Sequence, residues 1–188
     1  MLKKTVAALE RRGFEAVAVA TRQEALELVL EEAGRAASVG WGGSETLKEL
    51  GVREAVAALG REIRDHQLEM DLFLLSANAL TADGRIVNID GRGNRVAASI
   101  AGPKRVVYVI GRNKIVEGGI DEAVARIKRC ACPPNARRLG LDTPCARTGQ
   151  CYDCRSAARM CNVTFILEAP TRPVQAFHVL IVKEDLGL

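Results

Sequence analysis

Short β-prone runs that alternate with helical stretches constrain the fold of this chain more than any other feature. The strongest runs are FEAVAVA at residues 14–20, DLFLLS at residues 71–76 and RVVYVI at residues 105–110. DLFLLS is continuously apolar, a pattern typical of a strand that is covered on both faces. Apolar residues recur at helical spacing over residues 22–34 and 120–131. The alternation predicts a three-layer α/β fold, with a mostly parallel sheet and helices on both faces.

The rest of the chain indicates one domain with a Cys-rich segment attached to it. Two further β-prone runs, at residues 163–167 and 178–182, are expected to close the sheet. All six cysteines lie in residues 130–161, among prolines and glycines, and we expect an irregular, metal-binding segment there. The chain has no internal repeat or linker, and 188 residues with 48% hydrophobic content suit one core. We therefore expect a single domain over residues 1–188, to which this Cys-rich segment is attached.

Charge and composition argue against several classes of function. A net charge of +4 with only 4% aromatic residues is a weak basis for nucleic-acid binding, so we expect no nucleic-acid partner. The mild positive charge is more consistent with a cleft for a small anionic ligand than with a nucleic-acid surface. No apolar run is long enough to span a membrane, and the opening MLKKTVAALERRGFEAV has no apolar signal region. We expect a cytoplasmic protein, in which thiols stay reduced.

A glycine-rich turn follows the second β-prone run, in VGWGGSETLKEL. Gly40, Gly42 and Gly43 would let backbone N–H groups approach a ligand closely, and the helix start after them favours anions. Ser44 can cap that helix or donate its hydroxyl to an anion, whereas Glu45 places a carboxylate in the first turn. Two interpretations remain at this point. The stretch is either a tight turn with a serine cap, or one side of an anion site.

A second concentration of polar and turn residues lies in SANALTADGRIVNIDGRGNRVAA. The runs NALT and RIVNI flank an Asp-Gly pair, which predicts a β-hairpin. Polar groups at strand ends of an α/β sheet are where ligands usually bind, although Asn and Asp also serve ordinary turns. We predict that five residues face the glycine turn across a ligand cleft: Asn78, Asp90, Gly93, Asn94 and Arg95.

Four cysteines follow in TPCARTGQCYDCRSAARMC, at the spacing C-x5-C-x2-C-x6-C. A zinc site with four thiolates usually takes two CxxC-like pairs, and this stretch has one. One CxxC with two further cysteines is closer to iron–sulfur ligation, and arginines in the run would stabilise the thiolates and a negative cluster. We predict a [4Fe-4S] cluster, with zinc or no metal as the alternatives, on Cys145, Cys151, Cys154 and Cys161.

Four other residues are open to a functional or a structural interpretation. Cys130 falls near the apolar stripe of the 120–131 helix and is expected to be buried, whereas Cys132 could be an extra metal ligand. His66 is either a cleft acid or base, or a polar group at a strand entrance. Trp41 either forms a cleft wall or simply packs in the core.

Taken together, four blocks of this sequence resemble the LUD-domain family, whose members include the lactate-utilisation proteins of bacteria. The blocks cover nearly the whole chain: VGWGGSETLKELG, LLSANALTADGRIVNIDGRGNRVAASIAGPKRVVYVIGRNKI, NARRLGLDTPCARTGQCYDC and EDLGL. The resemblance implies a fold similar to the ribose-phosphate isomerase and CoA-transferase superfamily. In that superfamily, the turn that matches residues 40–44 faces the phosphate or CoA site.

The resemblance also implies a role in the oxidation of lactate, a 2-hydroxy acid, alongside iron–sulfur partner proteins. With the four cysteines, it predicts an accessory protein that carries a cluster and relays electrons with those partners. One alternative is an enzyme that binds a phosphorylated sugar or CoA-type ligand at the GWGGS turn and has a structural Cys segment. Another is a ligand-binding or regulatory protein with a structural zinc. A homo-oligomer is compatible with all three, and the catalytic residues stay unassigned.

Overall fold

The computed structural model of the chain describes residues 1–64 and 68–188. The strands in these ranges are β1 (Glu15–Val19), β2 (Ser38–Trp41), β3 (Glu62–Ile63), β4 (Leu72–Leu75), β5 (Ala79–Thr81), β6 (Ile86–Asp90), β7 (Arg105–Gly111), β8 (Ile115–Val116), β9 (Val163–Leu167) and β10 (Ala176–Val182). The α-helices are α1 (Leu2–Arg11), α2 (Arg22–Gly34), α3 (Glu45–Glu49), α4 (Val52–Ala58), α5 (Asn94–Ile100), α6 (Ile120–Arg126), α7 (Cys132–Arg138) and α8 (Pro144–Thr148). Arg112–Lys114 forms a 3-10 turn, and Ile127–Ala131 forms a π-helical turn.

The main sheet has six strands in the order β1-β10-β7-β4-β2-β3, and every pair in it is parallel. Its two faces belong to different core clusters. Phe73 of β4 packs in the cluster that contains Leu9 of α1 and Ala98 of α5. The next residue, Leu74, packs in the cluster that contains Val29 of α2 and residues of α3 and α4. Because neighbouring residues of a strand point to opposite faces, the continuous apolar runs bury both sides of the sheet. The three-layer prediction is confirmed.

A smaller sheet of four strands, in the order β8-β5-β6-β9, lies beside the main one. The predicted hairpin is present as the antiparallel pair β5–β6, in which Ala79 faces Val87. This hairpin forms the middle of the small sheet, because β8 adds parallel to β5 and β9 adds antiparallel to β6. The run at residues 163–167 is therefore the edge strand of the small sheet, while β10 lies inside the main sheet between β1 and β7, so the expectation that both runs close one sheet is wrong. β9 begins with two exposed residues, as expected for an edge strand with one solvent-exposed side.

The segment over residues 130–161 is more regular than its sequence suggests. The helix that begins at Ile120 passes through the π-helical turn into α7, and a second short helix, α8, follows. Pro133 and Pro134 lie in the first turn of α7, directly after the π-helical turn, and because proline has no N–H they interrupt the α-helical hydrogen bonding at this point. Within residues 130–162, helix and strand are absent from residues 139–143 and 149–162, all of which the structure describes.

The π-helical turn also changes which cysteine of this helix is buried. Cys130 is exposed, so the prediction of a buried Cys130 is wrong, and Cys132 is buried at 5% exposure. A π turn holds more residues than an α turn, so it shifts the buried face by about one position. Over residues 1–64 and 68–188, no helix has both the length and the apolar character needed to cross a membrane.

Candidate ligand cleft and cysteine cluster

The carboxyl ends of three neighbouring strands of the main sheet, β7, β4 and β2, form the floor of a cleft. The segments that follow them contribute Lys114, Ser76, Asn78 and Ser44 to its lining, and the cleft has a volume of about 800 Å³. Ligands of parallel α/β sheets usually bind outside the carboxyl ends of the strands. The end of β6, the start of α5, α7 and the cysteine segment supply the remaining walls.

The structure brings six of the nine predicted ligand-binding residues to this cleft: Gly43, Ser44, Asn78, Asp90, Asn94 and Arg95. The other three lie behind its wall. Gly40 lies inside β2, and a Cβ there would stand 2.4 Å from the Sδ atom of Met70. Gly42 faces Arg95, and Gly93 precedes α5 with a φ of 77° in the left-handed region. These three glycines therefore shape the backbone around the cleft rather than line it.

Arg95 and Asp90 form the most constrained pair of side chains in the cleft. Asp90 is 6% exposed and accepts hydrogen bonds from the backbone N–H, Nε and Nη2 of Arg95, at 3.1–3.2 Å. Nη2 of Arg95 also donates to the carbonyl of Ile89 at 3.0 Å. A Cβ at Gly42 would lie 2.4 Å from Cγ of Arg95, so the glycine leaves room for the arginine side chain. The guanidinium is therefore fixed in place before any ligand binds.

Asn78 is fixed by a reciprocal pattern of hydrogen bonds. Its backbone N–H donates to Oδ1 of Asn88 at 2.7 Å, and its own Oδ1 accepts from the N–H of Ile89 at 3.0 Å. Its carbonyl accepts from Nη1 of Arg126 at 2.7 Å. Within the described residues, the side-chain NH₂ groups of Asn78 and Asn94 donate no hydrogen bond, which leaves two amide donors on the cleft wall for a ligand.

At the glycine turn, the structure combines the two interpretations that the sequence left open, since Ser44 both caps a helix and lines the cleft. Oγ of Ser44 accepts from the N–H of Leu47 at 3.3 Å, so the serine caps α3 and also lines the cleft. The carboxylate of Glu45 pairs with Arg138 of α7 at 3.2 Å, which offsets its charge. Trp41 packs half-buried against the core beneath the guanidinium of Arg53, and His66 lies outside the described residues.

Lys114 is the cleft residue that sequence reasoning missed. Its side chain is 3% exposed, and Nζ donates to Oγ1 of Thr46 at 2.7 Å and to Oγ of Ser76 at 3.0 Å. Burial lowers the pKa of Lys114 to about 7, with help from the charges of Arg126 and Arg95 and against that of Glu49. The available signal was its position directly after the buried strand β7, where ligand groups gather.

The cysteine segment reaches the same cleft. Cys132 and Cys161 both line it, and their Sγ atoms lie 3.4 Å apart. Cys145 is buried, with its Sγ 3.3 Å from Oγ1 of Thr143, whereas Cys151 and Cys154 are half-buried. All are free thiols. Among the residues that the structure describes, no three or more His, Cys, Asp or Glu side chains are grouped so that they could hold a metal ion.

Charges around the cysteines favour the thiolate form at one of them. The hydrogen bond from Cys132 lowers the pKa of Cys161 to about 7, and the cations Arg159 and Lys128 lower it further against the effect of burial. That same hydrogen bond raises the pKa of Cys132, together with burial and the charges of Cys161, Cys151 and Cys145. Arg159 also donates to the carbonyls of Cys154 and Cys161, so it fixes the backbone between them.

The chain is thus an α/β protein with a parallel main sheet, a polar cleft at the carboxyl edge of that sheet and cysteines on the cleft wall. The family model described as LUD domain matches residues 2–182 of the chain. Because this match spans nearly the whole sequence, the chain belongs to the LUD-domain family, which is associated with lactate utilisation. No curated protein matches the sequence.

Solved structures that are similar to the chain include a DUF162 family protein and a ribose 5-phosphate isomerase. A DUF162 family protein from Deinococcus radiodurans is 16% identical, with a TM-score of 0.55 that covers 96% of this chain and 95% of that one. This likeness shows the fold. Ribose 5-phosphate isomerase from Plasmodium falciparum is 14% identical, with a TM-score of 0.32 over 53% of each chain.

Proposed function

We propose that this protein is an accessory protein of lactate (2-hydroxy acid) oxidation that carries a [4Fe-4S] cluster and relays electrons with iron–sulfur partner proteins. The family association supports the metabolic setting. The cluster would be held by Cys145, Cys151, Cys154 and Cys161, and it would supply one-electron transfer. We place the protein in the cytoplasm, where these thiols stay reduced.

One observation carries the proposal: the ligand cleft and the cysteine segment share a wall. Cys161 and Cys132 line the same cavity as Asn78 and Arg95. A cluster on the cysteine segment would therefore lie beside a ligand bound among the polar side chains. Proximity of this kind is what electron exchange between a bound hydroxy acid and a partner protein requires.

The thiol donors are of the type that an iron–sulfur cluster takes, but the described residues do not bring three of them together around one metal position. Cys161 is poised to ionise, because its hydrogen bond with Cys132 and the nearby cations lower its pKa. Arg159 and Lys128 supply positive charge beside thiolates that would carry negative charge. Cys132 is a fifth thiol within this group. Loading of a cluster would require Cys145, Cys151, Cys154 and Cys161 to converge, and the protein's own part would be to supply these thiols and hold the ligand alongside.

The cleft itself fits a small anionic ligand. Arg95 is held rigidly by Asp90, and the amide groups of Asn78 and Asn94 offer further donors. A carboxylate and a neighbouring hydroxyl or carbonyl oxygen accept hydrogen bonds from groups of this kind. These donors support a 2-hydroxy or 2-oxo acid as the ligand.

The direct test is the iron and acid-labile sulfide content of protein purified without oxygen. We expect brown protein with broad absorbance near ~400 nm, as thiolate-ligated iron–sulfur clusters show. Single Cys→Ser variants at positions 145, 151, 154 and 161 should lose iron. The exposed Cys130 lies away from the cleft lining, so Cys130→Ser is the matched control and should keep it. Colourless wild-type protein with stoichiometric zinc, or full iron content in all four variants, would reject the proposal.

A further inference from the structure

Lys114 lies where the closed end of the cleft meets the main sheet. It is the last residue of the 3-10 turn Arg112–Lys114, directly after β7, and 97% of its surface is covered. The covering includes the C-terminal segment: a Cβ at Gly187 would stand 3.2 Å from Nζ of Lys114. The residue nevertheless contributes to the lining of the cleft. Lys114 is therefore a buried amine that can still contact a ligand bound in the cleft.

Among the described residues, Nζ of Lys114 has two hydrogen-bond partners, although a lysine nitrogen can make three hydrogen bonds. Thr46 and Ser76 accept from Nζ, and their own hydroxyls point to backbone carbonyls, those of Leu186 and Ala77, each at 3.4 Å. A neutral amine has two N–H groups and one lone pair, whereas an ammonium has three N–H groups. Within the described residues, nothing occupies the third position.

Lys114 also has no counterion of its own. Across the described part of the chain, it forms no ion pair, although Glu49 contributes some favourable charge. The nearest cations are already committed, since Arg95 pairs with Asp90 and Arg126 donates to the carbonyls of Asn113 and Asn78. A buried cation without a partner is costly, so the site favours either a neutral amine or the arrival of an anion.

We propose that Lys114 binds the anionic group of the cleft's ligand, a carboxylate or a phosphate, and takes up a proton as that ligand binds. The amine accepts the proton from solvent, and the ammonium so formed donates its third N–H to the anion. No covalent bond forms or breaks in the ligand. The inference deepens the proposed function, on which it rests only for the identity of the ligand.

The titration of the site agrees with this geometry. Because the pKa of Lys114 is about 7, much of the amine in the free protein is neutral at and above neutral pH. An anion placed against it favours the ammonium and raises that pKa. The charged and titratable groups that face Lys114 or share its cleft are Glu45 and Glu49 of α3, Asp90 of β6, Arg92, Arg95 of α5, Arg126 of α6, Cys132 and Arg138 of α7, and Arg159 and Cys161 of the cysteine segment. Of these, Cys161 also titrates near neutral pH.

The test is calorimetric titration of the whole protein with pyruvate, L-lactate and inorganic phosphate at about pH 8, in two buffers of different ionisation enthalpy. The carboxylates of pyruvate and L-lactate stay ionised at this pH, so any proton taken up belongs to the protein. For the wild type we expect proton uptake with at least one probe. The probe that binds best shows whether the site takes a carboxylate or a phosphate.

Three variants separate Lys114 from Cys161 and from general damage. Lys114→Met keeps the length of the side chain and should weaken binding at least about tenfold, with loss of proton uptake. Lys114→Arg should bind without proton uptake, because the guanidinium is always charged. Lys48→Met, at an exposed lysine of α3, is the matched control and should behave like the wild type. Unchanged affinity and proton uptake in Lys114→Met, or no binding of any probe to the wild type, would overturn the inference.

A measurement on the wild type alone tests the inference even if a variant fails to fold. Affinity for pyruvate should fall by up to tenfold per pH unit above the pKa of the free lysine, since binding then requires a proton from solvent. A flat profile overturns the inference. Iron content measured on the same samples separates the two proposals, because proton-linked binding can hold in protein that contains no iron.

Discussion

At the scale of single residues, the cleft depends on charged groups that the fold holds away from water. Asp90 and Arg95 offset each other's charge through several hydrogen bonds, with side-chain exposures of 7% and 17%. Lys114, in contrast, has two hydroxyl partners and no paired charge within the described residues. The first pair provides a rigid wall, and the lysine provides a group whose charge can change. These different roles lead to different predictions.

Replacing Asp90 with Asn should destabilise the protein by about 2–4 kcal/mol, because it leaves a largely buried guanidinium without its counterion. Urea denaturation followed by circular dichroism measures this loss. Asp185→Asn is the matched control: its pair with Arg112 is exposed on both sides, so the cost should stay below about 1 kcal/mol. Equal effects of the two substitutions would show that Asp90 does not hold Arg95 in place.

Lys114 should give the protein a stability that depends on pH in a defined direction. Its pKa is about 7 in the folded chain against an ordinary value of 10.5, so between these values only the unfolded chain holds the proton. The free energy of unfolding of the wild type should therefore rise with pH in this range, by up to about 1.4 kcal/mol per pH unit, relative to Lys114→Met. Denaturation of both proteins at several pH values measures the difference. Parallel curves would contradict a depressed pKa.

The sequence indicates some of these residues and not others. Asp90, Asn94 and Arg95 lie within the six residues DGRGNR, so their proximity in space can be predicted from the sequence. Lys114 meets Thr46 and Ser76 only because strands β7, β4 and β2 are neighbours in the sheet. The burial that shifts its pKa also requires the C-terminal segment to fold back over it. These contacts join residues far apart in the chain, and no local pattern encodes them.

At the scale of elements, the C-terminal segment holds the lysine site closed. Leu186 is buried, and its N–H donates to Oδ1 of Asn113 at 3.1 Å. The N–H of Gly187 donates to Oε2 of Glu49 at 2.9 Å, and its carbonyl accepts from Nδ2 of Asn113 at 3.2 Å. The segment thus joins α3 to the turn that carries Lys114.

Gly187→Ala should disturb this closure. Gly187 has a φ of 63°, and an added Cβ would lie 2.4 Å from Oγ1 and 2.9 Å from the backbone nitrogen of Thr46. We expect a loss of stability of about 1–3 kcal/mol and weaker binding of pyruvate. Thermal unfolding and calorimetry measure the two effects. Gly34→Ala, at a helical glycine with open space around it, is the control and should be neutral or slightly stabilising. A Gly187→Ala protein as stable as the wild type would contradict the close packing.

The π-helical turn shows why helical periodicity alone misplaced Cys130. An unbroken α-helix over residues 120–131 would put Cys130 on the apolar stripe. The π turn, followed by two prolines in the first turn of α7, instead exposes Cys130 and turns Cys132 towards Cys161. The type of helix is decided by how α6 and α7 pack, since Ile127 and Ala131 are buried against the small sheet. This packing is a tertiary contact, and the helical periodicity of the sequence does not predict it.

At the scale of the whole molecule, the topology brings the cysteines to the ligand. The α/β class and the parallel sheet follow from strong local patterns, and the structure confirms both. The shared wall of the cleft does not follow from them. It arises because β9 pairs with β6, which brings the chain that precedes β9, including Cys161, beside the end of β6 at Asp90. One cavity therefore contains two groups of residues that lie about 70 positions apart in the sequence.

The central claim is that cleft and cysteine segment act as one site, and electron paramagnetic resonance of the reduced, anaerobic protein tests it most directly. Adding pyruvate should shift the cluster signal of the wild type, because the ligand would lie beside the cysteines. The same pyruvate concentration should shift the signal of Lys114→Met less than that of the wild type, at equal iron content, because the variant binds pyruvate more weakly. An unchanged wild-type signal, at a pyruvate concentration that calorimetry shows to saturate the cleft, would contradict the account.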